Sequence, residues 1–120
     1  MNDAAVRILI VDDHEMVRRG MRSFLRTSDD LNVVGEASDG MEALEKCAML
    51  EPDVIVMDIM MPQMDGVQAT EAIRRQFPDV AIVALSSSSD VKTVKSVIKA
   101  GALSYLMKNV NTDQLADVIR

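Results

Sequence analysis

Five strand-like apolar runs recur along the chain, at Val6 to Val11, Asn32 to Ala37, Asp53 to Met57, Val80 to Leu85 and Ala102 to Met107. The third is the clearest, because Val54-Ile55-Val56-Met57 shows no polar alternation, as expected of a central parallel strand covered on both faces. Between the runs, apolar residues take helical spacing: Val17, Met21, Phe24 and Leu25; Met41, Leu44 and Ala48; Val67, Ala69, Thr70 and Ile73; Val91, Val94, Val97 and Ile98. Strand and amphipathic helix thus alternate, which predicts right-handed βαβ units. The fold class that follows is α/β, a doubly wound (βα)5 five-stranded parallel sheet with helices on both faces. Punctuation agrees with this: Asp39 is a plausible N-cap for the second helix, Asp65-Gly66 breaks the chain before the third, and Ser89 or Asp90 can cap the fourth. Gly101 is suited to end that fourth helix. The segment Thr112 to Arg120 is still periodic where the chain stops, so the last helix is expected to be truncated.

Size and composition narrow the function classes. The 120 residues suit one domain, taken as 1–120, with no linker, repeat or low-complexity tract. Aromatics are only 2% while Met numbers 10, so aliphatic and thioether groups must fill the core, and no aromatic platform for nucleic acid exists. A net charge of −6 argues against non-specific nucleic-acid binding by the chain itself. No apolar stretch is long enough to span a membrane and no signal peptide is evident, so a cytoplasmic location is expected. Cys47, the sole cysteine, excludes an intrachain disulfide and a cysteine metal cluster, and reads as a buried thiol.

The candidate chemistry lies where the strands end. Parallel strands bring their carboxyl ends to one edge, and ligands of such sheets sit beyond that edge. The first strand ends in Asp12-Asp13, the third in Asp58, the fourth in Ser86 and the fifth, slightly beyond its apolar run, in Lys108. Three clustered carboxylates are costly without a compensating cation, and Mg2+ suits a site of few protein oxygens, water and phosphate. Lys108 and Ser86 add the cation and hydroxyl wanted around a phosphoryl oxygen. The set reads as a phosphoryl-transfer site with Asp58 as nucleophile.

These residues carry a family resemblance. In Val11-Asp12-Asp13-His14, Met57-Asp58-Ile59-Met60-Met61-Pro62-Gln63-Met64-Asp65-Gly66, Ala84-Leu85-Ser86 and Ser104-Tyr105-Leu106-Met107-Lys108, the chain resembles the receiver domain of bacterial two-component response regulators. The NarL/FixJ (LuxR-type) subfamily is the most similar. The resemblance implies a CheY-like fold, and a signalling switch that catalyses only its own phosphorylation and slow dephosphorylation. Asp58 would take phosphate from a sensor histidine kinase; Asp13, Asp58 and the Met60 backbone carbonyl would hold Mg2+, with Asp12 acting through water. Ser86 and Tyr105 would be the switch residues and Lys108 the cationic partner of the phosphoryl group. The implied output is homodimerisation on phosphorylation and control of a C-terminal helix-turn-helix DNA-binding domain that these residues do not include. A free-standing receiver acting by protein contact is the alternative. Asn109 departs from the family, which often has proline there, so Lys108-Asn109 is expected to be trans. The family also ties dephosphorylation rate to positions matching Met60, Ser87 and Ser88.

Several residues have a plainer reading. His14 adjoins the acidic pair but lacks a second histidine, and is expected to hydrogen-bond locally rather than bind metal. Arg18, Arg22 and Arg26 form a stripe on the first helix, expected either to be a solvated face or to dock an acidic kinase surface. Lys92, Lys95 and Lys99 form a second stripe, a solvated face or a dimer or output contact. Two alternatives, one of the same fold and one of similar site chemistry, fare worse. A flavodoxin-like nucleotide or flavin binder needs an amide-rich loop where Asp12-Asp13 stands, and neither GxGxxG nor GxxxxGK[ST] occurs. An aspartyl-phosphate phosphatase needs a general acid where Met60 stands.

Overall fold

The computed structural model describes residues 5–59, 66–86, 91–107 and 112–119. Strands β1 (Val6–Val11), β2 (Leu31–Ala37), β3 (Val54–Asp58), β4 (Ala81–Ser86) and β5 (Ser104–Met107) alternate with helices α1 (Glu15–Leu25), α2 (Gly40–Leu50), α3 (Gly66–Gln76), α4 (Val91–Ala100) and α5 (Thr112–Ile119). The strands pair in parallel in the order β2-β1-β3-β4-β5. Chain order reverses direction across the sheet between β1 and β3, which opens a crevice beyond their carboxyl ends.

The unbroken apolar runs are explained by two cores, one on each face. Leu9, Val11, Ile55 and Met57 pack with Ala43 and Cys47 of α2, Ala69 and Ile73 of α3 and Val97 of α4. Their neighbours Ile8, Ile10, Val54 and Val56 point the other way, onto Leu25 of α1 and Leu115, Ala116 and Ile119 of α5. Successive residues of a strand therefore serve different cores, and neither position tolerates a polar group.

Element boundaries shift from the apolar runs in an instructive way. β3 and β4 each extend to a polar residue, since Asp58 pairs with Leu85 and Ser86 with Met107. The backbone ladder continues where hydrophobicity stops. β5 is shorter than its run because Ala102 and Leu103 are spent leaving α4: Ala102 N–H donates to Val97 O at 3.1 Å and Gly101 N–H to Ile98 O at 3.0 Å. That pair of bonds is a Schellman ending, and Gly101 adopts the positive φ of 121° it requires. Asp39 caps α2 as expected, its Oδ1 accepting from Glu42 N–H at 2.8 Å. Cap positions Ser89 and Asp90 lie outside the described residues. Not every helical apolar residue is inside. Met41 is 53% exposed, because α2 buries Gly40, Ala43 and Cys47 and Met41 falls one helical step from that face.

Candidate functional site

Register alone brings two acids together. β1 and β3 pair Ile10 with Val56 and Val11 with Met57, so one further step sets Asp12 beside Asp58, on the face shared by Ile10 and Val56. Adjacent strands are about 4.8 Å apart, which places two carboxylates within one ion's reach. Both are shut off from solvent, Asp12 at 0% exposure and Asp58 at 1%. Asp13 follows on the loop and is partly exposed. Ligand atoms of Asp12, Asp13, His14 and Asp58 all lie within 4.8 Å of one another.

The loop is folded by local bonds. His14 N–H donates to Asp12 Oδ1 at 2.8 Å, an Asx turn that leads into α1. Its ring Nδ1 stands 3.1 Å from Asp12 Oδ1 and 3.1 Å from Asp13 Oδ1. His14 does bond locally, and it also stands within the acid cluster. Charge of one sign gathered in so small and buried a space favours a compensating cation. The donor set of three carboxylates is hard oxygen, the chemistry that Mg2+ or another hard divalent ion prefers. The residues therefore fit a metal ion of that class.

The other strand tips complete the edge. Ser86 ends β4 fully buried. Tyr105 of β5 pairs with Ala84 and so shares a sheet face with Ser86, two residues along. Its ring is half-buried against the core beneath α2, α3 and α4. Lys108 and Met60 lie outside the described residues, as do Ser87, Ser88 and Asn109. Gly66, the first residue of α3, allows that helix to sit directly on the tip of β3. A Cβ there would come within 2.5 Å of Ile59 Cα and 2.6 Å of the Asp58 carbonyl oxygen.

Residues 8–120 match the family model described as the response regulator receiver domain. The chain belongs to that family. The receiver domain is 49% identical over 115 residues to the transcriptional regulatory protein LiaR of Bacillus subtilis (strain 168), covering 96% of this chain and 54% of LiaR. Among solved structures it is similar to the signal receiver domain of NarL from Mycobacterium tuberculosis, with 33% identity, TM-score 0.88 and 96% of each chain covered. A LuxR-family response regulator from Aurantimonas sp. SI85-9A1 matches with 31% identity and TM-score 0.91, over 96% of this chain and 82% of that one. The chain spans about half the length of the curated relatives it matches. The expected family, subfamily likeness and CheY-like architecture are thereby established, and the receiver domain is a signalling domain of two-component systems.

Glu36 is the site neighbour that sequence reasoning missed. It lies one residue before the end of β2, and it receives two of the three stripe arginines. Arg18 Nε is 3.0 Å from Glu36 Oε1 and Arg22 Nη1 is 2.6 Å from Oε2. Arg18 also donates through Nη1 to the Asp12 carbonyl oxygen at 2.6 Å. Its side chain is only 16% exposed, so it is not part of a freely solvated face. The one available signal was a carboxylate on the strand whose pairing, Ile10 with Glu36, directs it toward α1. Lys92, Lys95 and Lys99 are exposed on α4. No described helix is long and apolar enough to cross a membrane.

Proposed function

We propose that Asp58 is the phosphoacceptor of this receiver domain and that its donor is the phosphohistidine of a sensor histidine kinase. A carboxylate oxygen of Asp58 attacks phosphorus; the P–O bond forms as the P–N bond breaks, and the bonding pair leaves with the imidazole nitrogen. The observation that carries the reading is a buried carboxylate at the tip of β3, gathered with Asp12 and Asp13 within 4.8 Å. Asp13 and Asp58 would hold Mg2+ directly, with the Met60 carbonyl, and Asp12 through water. When bound, the ion supplies charge neutralisation for the carboxylates and the transferring phosphoryl oxygens. Lys108 would pair with the phosphoryl group, Ser86 would turn its hydroxyl toward it, and Tyr105 would follow by changing rotamer.

The chain would promote only its own phosphorylation and slow hydrolysis, acting as a switch in the cytoplasm. In the whole protein, that switch would drive homodimerisation and govern a DNA-binding output domain, a reading supported by the likeness to a transcriptional regulatory protein about twice as long. Of Arg18 and Arg22 on α1, both expected to dock the kinase, Arg22 is the exposed one that would meet an acidic surface, whereas Arg18 is turned inward onto Glu36 and the Asp12 carbonyl. Lys92 and Lys95 would contact a second copy or the output domain. The test is incubation with Mg2+ and a small acyl-phosphate donor followed by intact mass. One added phosphoryl group in the wild type and none in Asp58→Asn is expected; equal labelling of both would sink the assignment.

A further inference from the structure

Asp12 is gripped by the end of β2 through two routes that close into a ring. Its N–H donates directly to the Ala37 carbonyl at 3.1 Å. Its carbonyl accepts from Arg18 Nη1 at 2.6 Å, and Arg18 Nε in turn reaches the carboxylate of Glu36, the residue next to Ala37, at 3.0 Å. Glu36 is itself steadied by Arg22 at 2.6 Å. A guanidinium suits this task because its donors are fixed in one plane and can engage two acceptors in set directions.

We propose that Arg18 is a positioning residue for the acid cluster, orienting through the Asp12 carbonyl the peptide from which the Asp12 and Asp13 carboxylates project. That peptide is planar, so holding its oxygen fixes the direction of both flanking Cα atoms. Two of the three clustered carboxylates are then aimed by one bond from α1. Groups that orient metal ligands from behind are as much a part of a site as the ligands themselves. Glu36 offsets only part of the charge, one carboxylate against the two guanidinium groups of Arg18 and Arg22, so the strut lessens but does not remove the repulsion of a cation beside it. The inference rests on the phosphoacceptor reading of Asp58.

The test separates orientation from charge. Amide chemical shifts of the wild type, Arg18→Ala and Arg18→Lys are followed through a Mg2+ titration, and acyl-phosphate labelling is timed across the same concentrations, with Asp58→Asn alongside. Both Arg18 variants should bind Mg2+ about tenfold more weakly, the lower end of losses seen when an outer partner of a metal ligand is removed. The Mg2+ concentration for half-maximal labelling should rise by the same factor, while labelling at saturating metal falls less. A guanidinium acting through charge alone gives the opposite sign: Arg18→Ala would bind Mg2+ more tightly and Arg18→Lys would match the wild type. Either of those results, or unchanged affinity in Arg18→Ala, overturns the inference. Should Arg18→Ala fail to fold by circular dichroism, Arg18→Lys carries the decision, since it keeps the charge and loses the planar fork. Labelling that persists in Asp58→Asn instead refutes the phosphoacceptor reading and leaves the Mg2+ titration to judge Arg18.

Discussion

Burial raises the proton affinity of the Glu36 carboxyl, but hydrogen bonds from Arg22 and Arg18, together with their charges, outweigh it and hold the group below its ordinary value of 4.5. The folded chain therefore binds that proton less well than the unfolded one. The resulting stabilisation is present above about pH 4.5 and is lost as pH falls through the lower folded value. Glu36→Gln should cost about 1 kcal/mol near pH 7, the upper range for a partly exposed pair, and little at pH 3. Urea denaturation of both proteins at the two pH values checks this; an equal loss at both would show that the carboxylate's charge is immaterial. Cys47 illustrates the opposite case at the same scale. Burial alone pushes its thiol up, which keeps it protonated and unreactive, a packing group rather than a chemical one.

At the scale of elements, the placement of α3 on the tip of β3 depends on one missing methyl group. The nearest obstacles to a Cβ at Gly66 are the Ile59 Cα and the Asp58 carbonyl, both backbone, and backbone cannot swing aside as a side-chain end can. Gly66→Ala should therefore destabilise by about 1–3 kcal/mol, the range for overpacking, and should slow acyl-phosphate labelling because the strain falls on the peptide of Asp58 itself. Denaturant midpoints and labelling rates measured together would test both halves. Loss of stability with labelling untouched would mean that α3 can retreat without moving Asp58. The Thr70 hydroxyl strengthens the expectation, since it donates to the Gly66 carbonyl at 2.6 Å and ties the first turn of α3 to itself. Helix ends elsewhere are held by cheaper devices, the Asp39 cap of α2 and the glycine ending of α4.

Across the whole molecule, the strand tips form an acidic edge on a sheet whose central strand is apolar on both faces, and an ion that binds there links the edge to global stability. At ten times its dissociation constant, a ligand of the native state alone adds about 1.4 kcal/mol. Thermal melts should therefore rise with Mg2+ at matched ionic strength, and rise less in Asp13→Asn; an identical response in the variant would remove Asp13 from the ligand set. Much of this was legible in the chain. Val54 to Met57 without a polar residue required cover on both faces, and alternating helical segments required a parallel sheet, because hydrophobic periodicity is a local property that follows directly from residue order. The acids Asp12, Asp13 and Asp58 could be foreseen at one edge for the same reason, since parallel strands all end on the same side. Family likeness, not periodicity, suggested the switch role of Tyr105, whereas Lys108 was expected at the same edge because it follows the fifth strand. What only the tertiary structure decided was lateral: which strands are neighbours, that Ile10 pairs with both Val56 and Glu36, and hence that Arg18 meets Glu36 and Asp12 instead of solvent. Contacts between residues far apart in sequence depend on register and on the rotation of a helix over its sheet, and a repeat of apolar positions specifies neither closely enough to tell an arginine facing water from one that holds the site.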